Sequence, residues 1–195
     1  ILLALKERER SGRGQRVEAV LYDTALTMLI PYAANWMLSG VVPGPVGNGH
    51  VSAYPYDKFR VGDREMFLAV VNQAQYERFC EQVGRPDLVR DERFLSITDR
   101  SKHRVALRAE IERTLEGRDV EALCADLMRA GVPAAPVNRI PEAFAHPHTA
   151  HRAMDVRIDD YRGVGVPVKL GRTPGSPRAK PPRFAEHSAE ILVEL

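Results

Sequence analysis

The sequence predicts a mixed α/β chain whose centre is a small α+β domain, and three observations carry that prediction. Two runs, Tyr56–Val61 and Glu65–Val71, flank Gly62 and Asp63 and read as a β-hairpin. Behind them come apolar residues at helical spacing: Tyr76, Phe79, Cys80 and Val83, then Leu107, Ile111 and Leu115, then Val120, Leu123, Cys124, Leu127 and Met128. Ala134–Asn138 then reads as a short returning strand, after Gly131 and Pro133 end the third helix. A hairpin, three one-sided helices and a returning strand are enough to enclose a core of their own.

The remaining elements follow in chain order. Residues Ile1–Arg10 read as the last turns of a helix with no capping residue before its apolar run. Gly12 and Gly14 stop it, because glycine accepts the left-handed backbone angles of a helix C-terminus. Arg16–Leu21 alternates in the manner of a half-buried strand, and Asp23 and Thr24 open a second helix that runs through Leu38. Ser39–Tyr56 has five glycines or prolines between Gly40 and Gly47, which excludes a helix and predicts an ordered connecting loop. Asn72 and Gln75 have the spacing of a capping box for the helix behind the hairpin.

Beyond the returning strand the character changes. Nine of the fourteen prolines lie between Pro133 and Pro182, which predicts extended segments and turns rather than long helices. Short β-like pieces are expected at Met154–Ile158 and Val164–Leu170, a Pro/Arg-rich connector at Gly171–Phe184, and a new helix from Ser188 to Leu195. Both ends fall inside an element, as expected of a piece of something larger.

A length of 195 residues is enough to bury a real core. The chain is 44% hydrophobic and 28% charged, the composition of a soluble globular protein, and its 28 basic and 26 acidic residues nearly balance at +2. That balance leaves no basic footprint for nucleic acid. No apolar run reaches the length of a membrane span. Cys80 and Cys124 fall on helical apolar stripes without metal-ligand spacing, so they are expected as reduced, buried thiols in a cytoplasmic protein.

Several separate blocks, in order, closely resemble the family III CoA-transferases, a group that includes formyl-CoA and carnitine CoA-transferases and the alpha-methylacyl-CoA racemases. They are Ala4–Leu26 (ALKERERSGRGQRVEAVLYDTAL), Val46–His50 with Pro55–Phe59, Phe67–Leu88, Ala130–Pro147 and Pro181–Leu192. Val51 follows His50 where the family commonly has proline, and Phe184-Ala185 replaces a usual Leu-Gly. The resemblance implies the C-terminal part of a Rossmann-like large domain plus a small α+β domain, in a family whose homodimers interlock like links. It places residues 1–38 in the large CoA-binding domain, 39–53 in a linker, 54–139 in the small domain, 140–172 in a returning linker and 173–195 in the large domain again. It also implies that the catalytic aspartate lies upstream of Ile1, so no catalytic residue is expected on this chain. The substrates it implies are an acyl-CoA thioester and a carboxylic acid, with no cofactor beyond coenzyme A as a substrate.

Each group with possible chemistry has a plainer reading beside it. Gly12-Arg13-Gly14 follows a helix and precedes a strand, the reverse of a dinucleotide fingerprint, and reads as a tight turn. Asp23 is the carboxylate nearest the implied catalytic region, yet it sits where a helix cap belongs. Gly47, Asn48, Gly49 and His50 form the best candidate for substrate binding. Glycines let backbone N–H groups approach a ligand, and the family's equivalent loop closes over the acyl-CoA site; a plain linker turn is the other reading. His50 itself reads as a loop-packing residue rather than a base. Tyr54 and Tyr56 either line the acyl pocket or belong to the small-domain core. His146, His148 and His151 are interrupted by Pro147 and lack a fourth ligand position, so no metal is predicted. The run Asp99–Arg118 reads as a solvated helix face of interleaved charge. Racemases of this family carry a glutamate just after the strand ending here at Val71, where this chain has the uncharged Asn72-Gln73-Ala74-Gln75. An amide cannot act as that base, which favours CoA transfer over racemisation. A third reading, of a different class, is a non-catalytic fragment that serves only to dimerise.

Overall fold

The structure, a computed structural model, describes residues 1–194. Its sheet is β1 (Tyr56–Val61), β2 (Arg64–Ala69) and β3 (Ala134–Pro136), antiparallel throughout and in that spatial order. Val61 pairs with Arg64, so the hairpin loop is Gly62-Asp63 alone, with Gly62 at φ 63°. Alternate side chains face the core: Phe59 and Val61 from β1, Met66 and Leu68 from β2, then Val70 just beyond it. β3 closes the sheet by pairing Ala134 with Leu68 and Pro136 with Met66.

Three helices cover one face of this sheet. α4 (Gln73–Gln82) buries Tyr76, Phe79 and Cys80, α6 (Arg104–Leu115) buries Leu107, Ile111 and Leu115, and α7 (Val120–Arg129) buries Val120, Leu123, Cys124 and Leu127. The stripes are therefore the ones the spacing predicts, except that Met128 is exposed and instead sets its sulfur 3.5 Å from the Ala134 N–H. Each large side chain fully buried this way contributes about 1.5–3 kcal/mol. Asn72 caps α4 through a bond from the Gln75 N–H at 2.9 Å, while the Gln75 side-chain oxygen Oε1 accepts from the Val71 N–H rather than from Asn72. The box is thus closed one residue early. Every member of the hydrophobic core lies between Tyr54 and Ala134.

The segments on either side bury almost nothing. α1 (Leu2–Ser11) ends at Gly12, whose φ of 70° lets its N–H bond the Arg8 carbonyl. The strand expected at Arg16–Leu21 does not form, because no second strand lies beside it among the described residues and alternation alone supplies no hydrogen-bond partner. The single helix expected from Asp23 to Leu38 is two, α2 (Leu21–Met28) and α3 (Ile30–Ser39). Pro31 enforces the break, since it has no N–H for the Thr27 carbonyl and its ring crowds that group. Nor do Asp23 and Thr24 cap: Val20 is the N-cap, and the Thr24 hydroxyl bonds back to its carbonyl. None of α1, α2 and α3 has a buried residue, and Leu3, Met28, Met37 and Leu38 are all more than 70% exposed.

After β3 come α8 (Ile140–Ala145), α9 (Pro147–His151) and a second hairpin, β4 (Asp155–Ile158) with β5 (Tyr161–Val164). The second β piece therefore lies earlier than the expected Val164–Leu170, because the tight turn at Asp159 returns the chain immediately to pair with β4. The Pro/Arg-rich connector is irregular and exposed, and α10 (Ser188–Glu194) follows it. Ala185 stands at φ 59°, the left-handed conformation in which glycine is at no disadvantage.

Candidate functional site

The glycine-bearing loop is held from several sides. A turn at its start is closed by the Gly49 N–H on the Val46 carbonyl at 3.1 Å, with Gly47 at φ 66°. Gly49 is closely approached: a Cβ there would lie 3.0 Å from Asp57 Oδ2 and 3.2 Å from the Val46 carbonyl oxygen. The next residue, His50, donates its N–H to the Tyr56 carbonyl at 2.9 Å, joining the loop to the start of β1. Its ring Nδ1 accepts from the N–H groups of Ser52 at 3.2 Å and Ala53 at 3.1 Å. In the neutral ring those two contacts select the tautomer that carries its proton on Nε2.

The aromatic and charged side chains beneath the loop form a continuous support. The His50 ring lies 5.2 Å from Tyr56, which meets Phe67 edge-on at 5.5 Å. Asp57 receives Arg108 Nη2 at 2.6 Å, and Arg108 Nη1 donates to the Lys58 carbonyl at 2.7 Å. The Arg108 guanidinium also covers Phe59 at 4.8 Å, a favourable face-on cation contact. Arg104 reaches the His50 carbonyl and lies over Tyr54.

Gly47 and Asn48 are thus exposed at the tip, Gly49 is half-buried against Asp57, and His50 is committed to the loop's own backbone. Tyr56 is half-buried beneath His50, while Tyr54 is 1% exposed and packs with Phe59 in the core. Burial pushes the Tyr54 hydroxyl up to about 12, so it is a neutral phenol at ordinary pH. The loop's exposed tip is thus Gly47 and Asn48, held from beneath by the Asp57–Arg108 pair and the His50, Tyr56 and Phe67 rings. Cys80 and Cys124 are buried free thiols, each pushed up to about 11 by burial. Among the described residues no group of three His, Cys, Asp or Glu is placed to hold a metal ion. His146 instead caps α9, its Nδ1 accepting from the His148 N–H.

Arg100, which the sequence places on a solvated charged face, is fully buried, and this corrects that expectation. It lies on α5 (Ile97–Lys102), where Nε donates to the Tyr54 carbonyl at 2.9 Å and Nη1 to the Phe94 carbonyl and Gln73 Oε1. Its guanidinium stacks 4.1 Å from the Tyr76 ring. Burial lowers its pKa, since removing water penalises the charged form. A signal was present in the sequence: Arg100 is seven residues before Leu107, a spacing that continues the pattern of Leu107, Ile111 and Leu115, although the helices α5 and α6 part at His103.

The profile of CoA-transferase family III matches residues 1–188. The chain belongs to that family. Over its whole length it is 35% identical to an acyl-CoA transferase of Fusarium pseudograminearum, covering 44% of that protein. It is 33% identical to a succinyl-CoA:mesaconate CoA-transferase of Haloarcula marismortui and 33% to a succinate–glutarate CoA-transferase of Agrobacterium fabrum, covering 50% of each. The chain therefore spans about half the length of the curated relatives it matches. A crystal structure of a CaiB/BaiF family protein from Brucella suis superposes with a TM-score of 0.83 at 30% identity, covering 99% of this chain and 51% of that one. The mixed helix and strand architecture is thus that of solved members of this family. No helix among the described residues is long and apolar enough to cross a membrane.

Proposed function

We propose that this chain is the C-terminal portion of a cytoplasmic acyl-CoA:carboxylate CoA-transferase. The observation that carries the reading is similarity along the whole chain to relatives named as CoA-transferases, within one family match over residues 1–188. In the longer protein, an aspartate upstream of Ile1 attacks the acyl-CoA carbonyl and expels CoA thiolate, leaving a mixed anhydride. The thiolate then attacks the aspartyl carbonyl, which releases the donor acid and gives an aspartyl-CoA thioester. The acceptor carboxylate attacks that thioester and expels CoA thiolate, forming a second mixed anhydride, and the thiolate then attacks the acceptor's acyl carbonyl, giving the new acyl-CoA and releasing the aspartate carboxylate. Coenzyme A is a substrate throughout, and no other cofactor is required.

Residues 54–139 serve in this reading as the small domain, residues 1–38 and 173–195 as parts of the large one, and residues 39–53 and 140–172 as linkers. The loop Gly47–His50 closes over the acyl-CoA, with Gly47 and Asn48 facing it through their backbone and Tyr56 supporting it. Tyr54 contributes by fixing the loop's exit in the core. The bare apolar sides of α1, α2 and α3 support a larger assembly, with the upstream half and a second copy in an interlocked homodimer covering them. Racemisation is disfavoured because Asn72 and Gln75 are uncharged and both are spent on capping α4. The test is a CoA-transfer assay on the protein extended upstream: transfer between an acyl-CoA and a free acid is expected, and thioester epimerisation without transfer would overturn the reading.

A further inference from the structure

One side chain ties off the Gly47–His50 loop. His50 Nδ1 accepts from the N–H groups of Ser52 at 3.2 Å and Ala53 at 3.1 Å, and the Ser52 hydroxyl lies 3.4 Å from the same atom. Ser52 and Ala53 are the last loop residues before Tyr54 enters the core. A ring nitrogen accepts only while it is unprotonated, so both bonds require a neutral His50. A second proton turns Nδ1 into a donor aimed at two other donors, and the two bonds are lost together. Ala53 is 6% exposed, so its freed N–H is stranded away from water unless the segment shifts.

The elements packed against the loop leave that loss uncompensated. From α6, Arg104 brings a positive charge to the His50 carbonyl at 3.4 Å. From β1, Tyr56 sets its ring 5.2 Å from the imidazole, and the Asp57 carboxylate under Gly49 is already held by Arg108 at 2.6 Å. From α5 comes only the Ser101 hydroxyl, which donates to the Ser52 carbonyl at 3.4 Å. A protonated His50 therefore meets two cations and one carboxylate that is already paired. Its backbone bond to the Tyr56 carbonyl does not depend on the ring, so the base of the loop stays on β1 in either state.

We propose that His50 is a protonation-controlled latch: its neutral ring holds the loop in the form seen here, and its protonated ring releases the Ser52–Ala53 turn. Histidine is the side chain whose charge ordinarily changes between pH 5 and 8, so the latch opens in mildly acidic solution. The link from latch to activity rests on the reading of this loop as the cover of the acyl-CoA. A released loop holds that substrate less well, and KM for acyl-CoA rises as pH falls. His50 acts through the loop backbone, which makes it a positioning residue and not a base.

The experiment follows hydrogen exchange of the Ser52 and Ala53 amides in this chain, without substrate, from pH 8 to pH 5. Exchange is taken relative to each amide's intrinsic rate, and the ring C–H signals of His50 report its protonation in the same samples. Protection of both amides is expected to fall about tenfold as the ring gains its proton. His50→Asn puts a carbonyl oxygen where Nδ1 stands, one that does not titrate in this range, and should keep both amides protected throughout. His50→Gln sets its polar atoms one bond further out and should leave them unprotected at both ends of the range. On the protein extended upstream, KM for an acyl-CoA is expected to rise about fivefold from pH 8 to pH 5 in the parent and to stay within about twofold in His50→Asn. Protection that holds while the ring titrates, a ring that stays neutral down to pH 5, or an Asn variant that opens in acid like the parent would each overturn the latch. The same pH dependence of KM in parent and Asn variant would overturn its control of the site. An extended protein that transfers no CoA would instead sink the transferase reading, and amide exchange would still decide the latch.

Discussion

Arg108 and Asp57 form a 2.6 Å ion pair that joins helix α6 to the first strand directly beneath the Gly47–His50 loop. The same Asp57 oxygen lies 3.0 Å from where a Cβ on Gly49 would stand. Loop, strand and helix are therefore fixed by one carboxylate, and the sequence separation of these parts makes the loop's shape depend on the folded small domain.

Gly49→Ala tests that dependence. The added methyl meets Asp57 Oδ2 and the Val46 carbonyl together, so one or both must give way by a few tenths of an ångström. A loss of about 1 kcal/mol in denaturant unfolding is expected, with the ring signals of His50 and Tyr56 shifted by NMR. A variant as stable as the parent with unmoved rings would show that the close approach is not maintained in solution.

Arg108→Met keeps most of the side-chain volume over Phe59 and removes the charge. Asp57 is then left with the Lys58 N–H, and the Lys58 carbonyl loses its guanidinium partner. The expected cost is about 2 kcal/mol, because a largely buried carboxylate loses its cation. Repeating the measurement in Asp57→Asn should show most of that cost gone, as a double-mutant cycle requires of a direct pair.

The buried thiols make stability fall at high pH. Cys80 and Cys124 are pushed up to about 11 by burial, from the ordinary thiol value near 9. Above pH 9 the unfolded chain has lost these protons while the folded chain keeps them, so unfolding is favoured as pH rises towards 11. Each thiol contributes a decline of about 1.4 kcal/mol per pH unit across that window. Urea unfolding at pH 8, 9 and 10 measures it, and a Cys80→Ala, Cys124→Ala variant should show a shallower decline.

Ala185 should be improved by glycine. Its φ of 59° costs an L-residue with a Cβ about 1 kcal/mol, which Gly does not incur. The segment lies outside the core, so the gain is local: slower amide exchange at Glu186 and Ser188, whose N–H groups bond Arg183 and Ala185, without a change in global unfolding.

How much of this was legible in the sequence divides along the core. Hairpin, helix stripes and returning strand follow from periodicity, because each of those elements buries its apolar side within this chain. The Arg16–Leu21 strand was misread because alternation reports only that one side seeks burial, and no neighbouring strand lies beside it among the described residues. The break at Pro31 was readable from proline alone, since a missing N–H interrupts any helix register. At the candidate loop, the glycines were legible as a turn, but their support was not. Asp57 and Arg108 are fifty-one positions apart and meet only through packing of α6 on β1. Arg100 was hidden differently, as a cation in a run of mixed charges, where composition favours a solvated face over a buried position.

The proposed function places this chain in a transferase that acts through an upstream aspartate. The most direct measurement is peptide mass spectrometry of the protein extended upstream of Ile1, incubated with an acyl-CoA and quenched with hydroxylamine. The account predicts a hydroxamate on a single aspartate of the upstream segment, lost when that aspartate is replaced by alanine. Intact thioester binding with no modified carboxylate anywhere in the protein would contradict it.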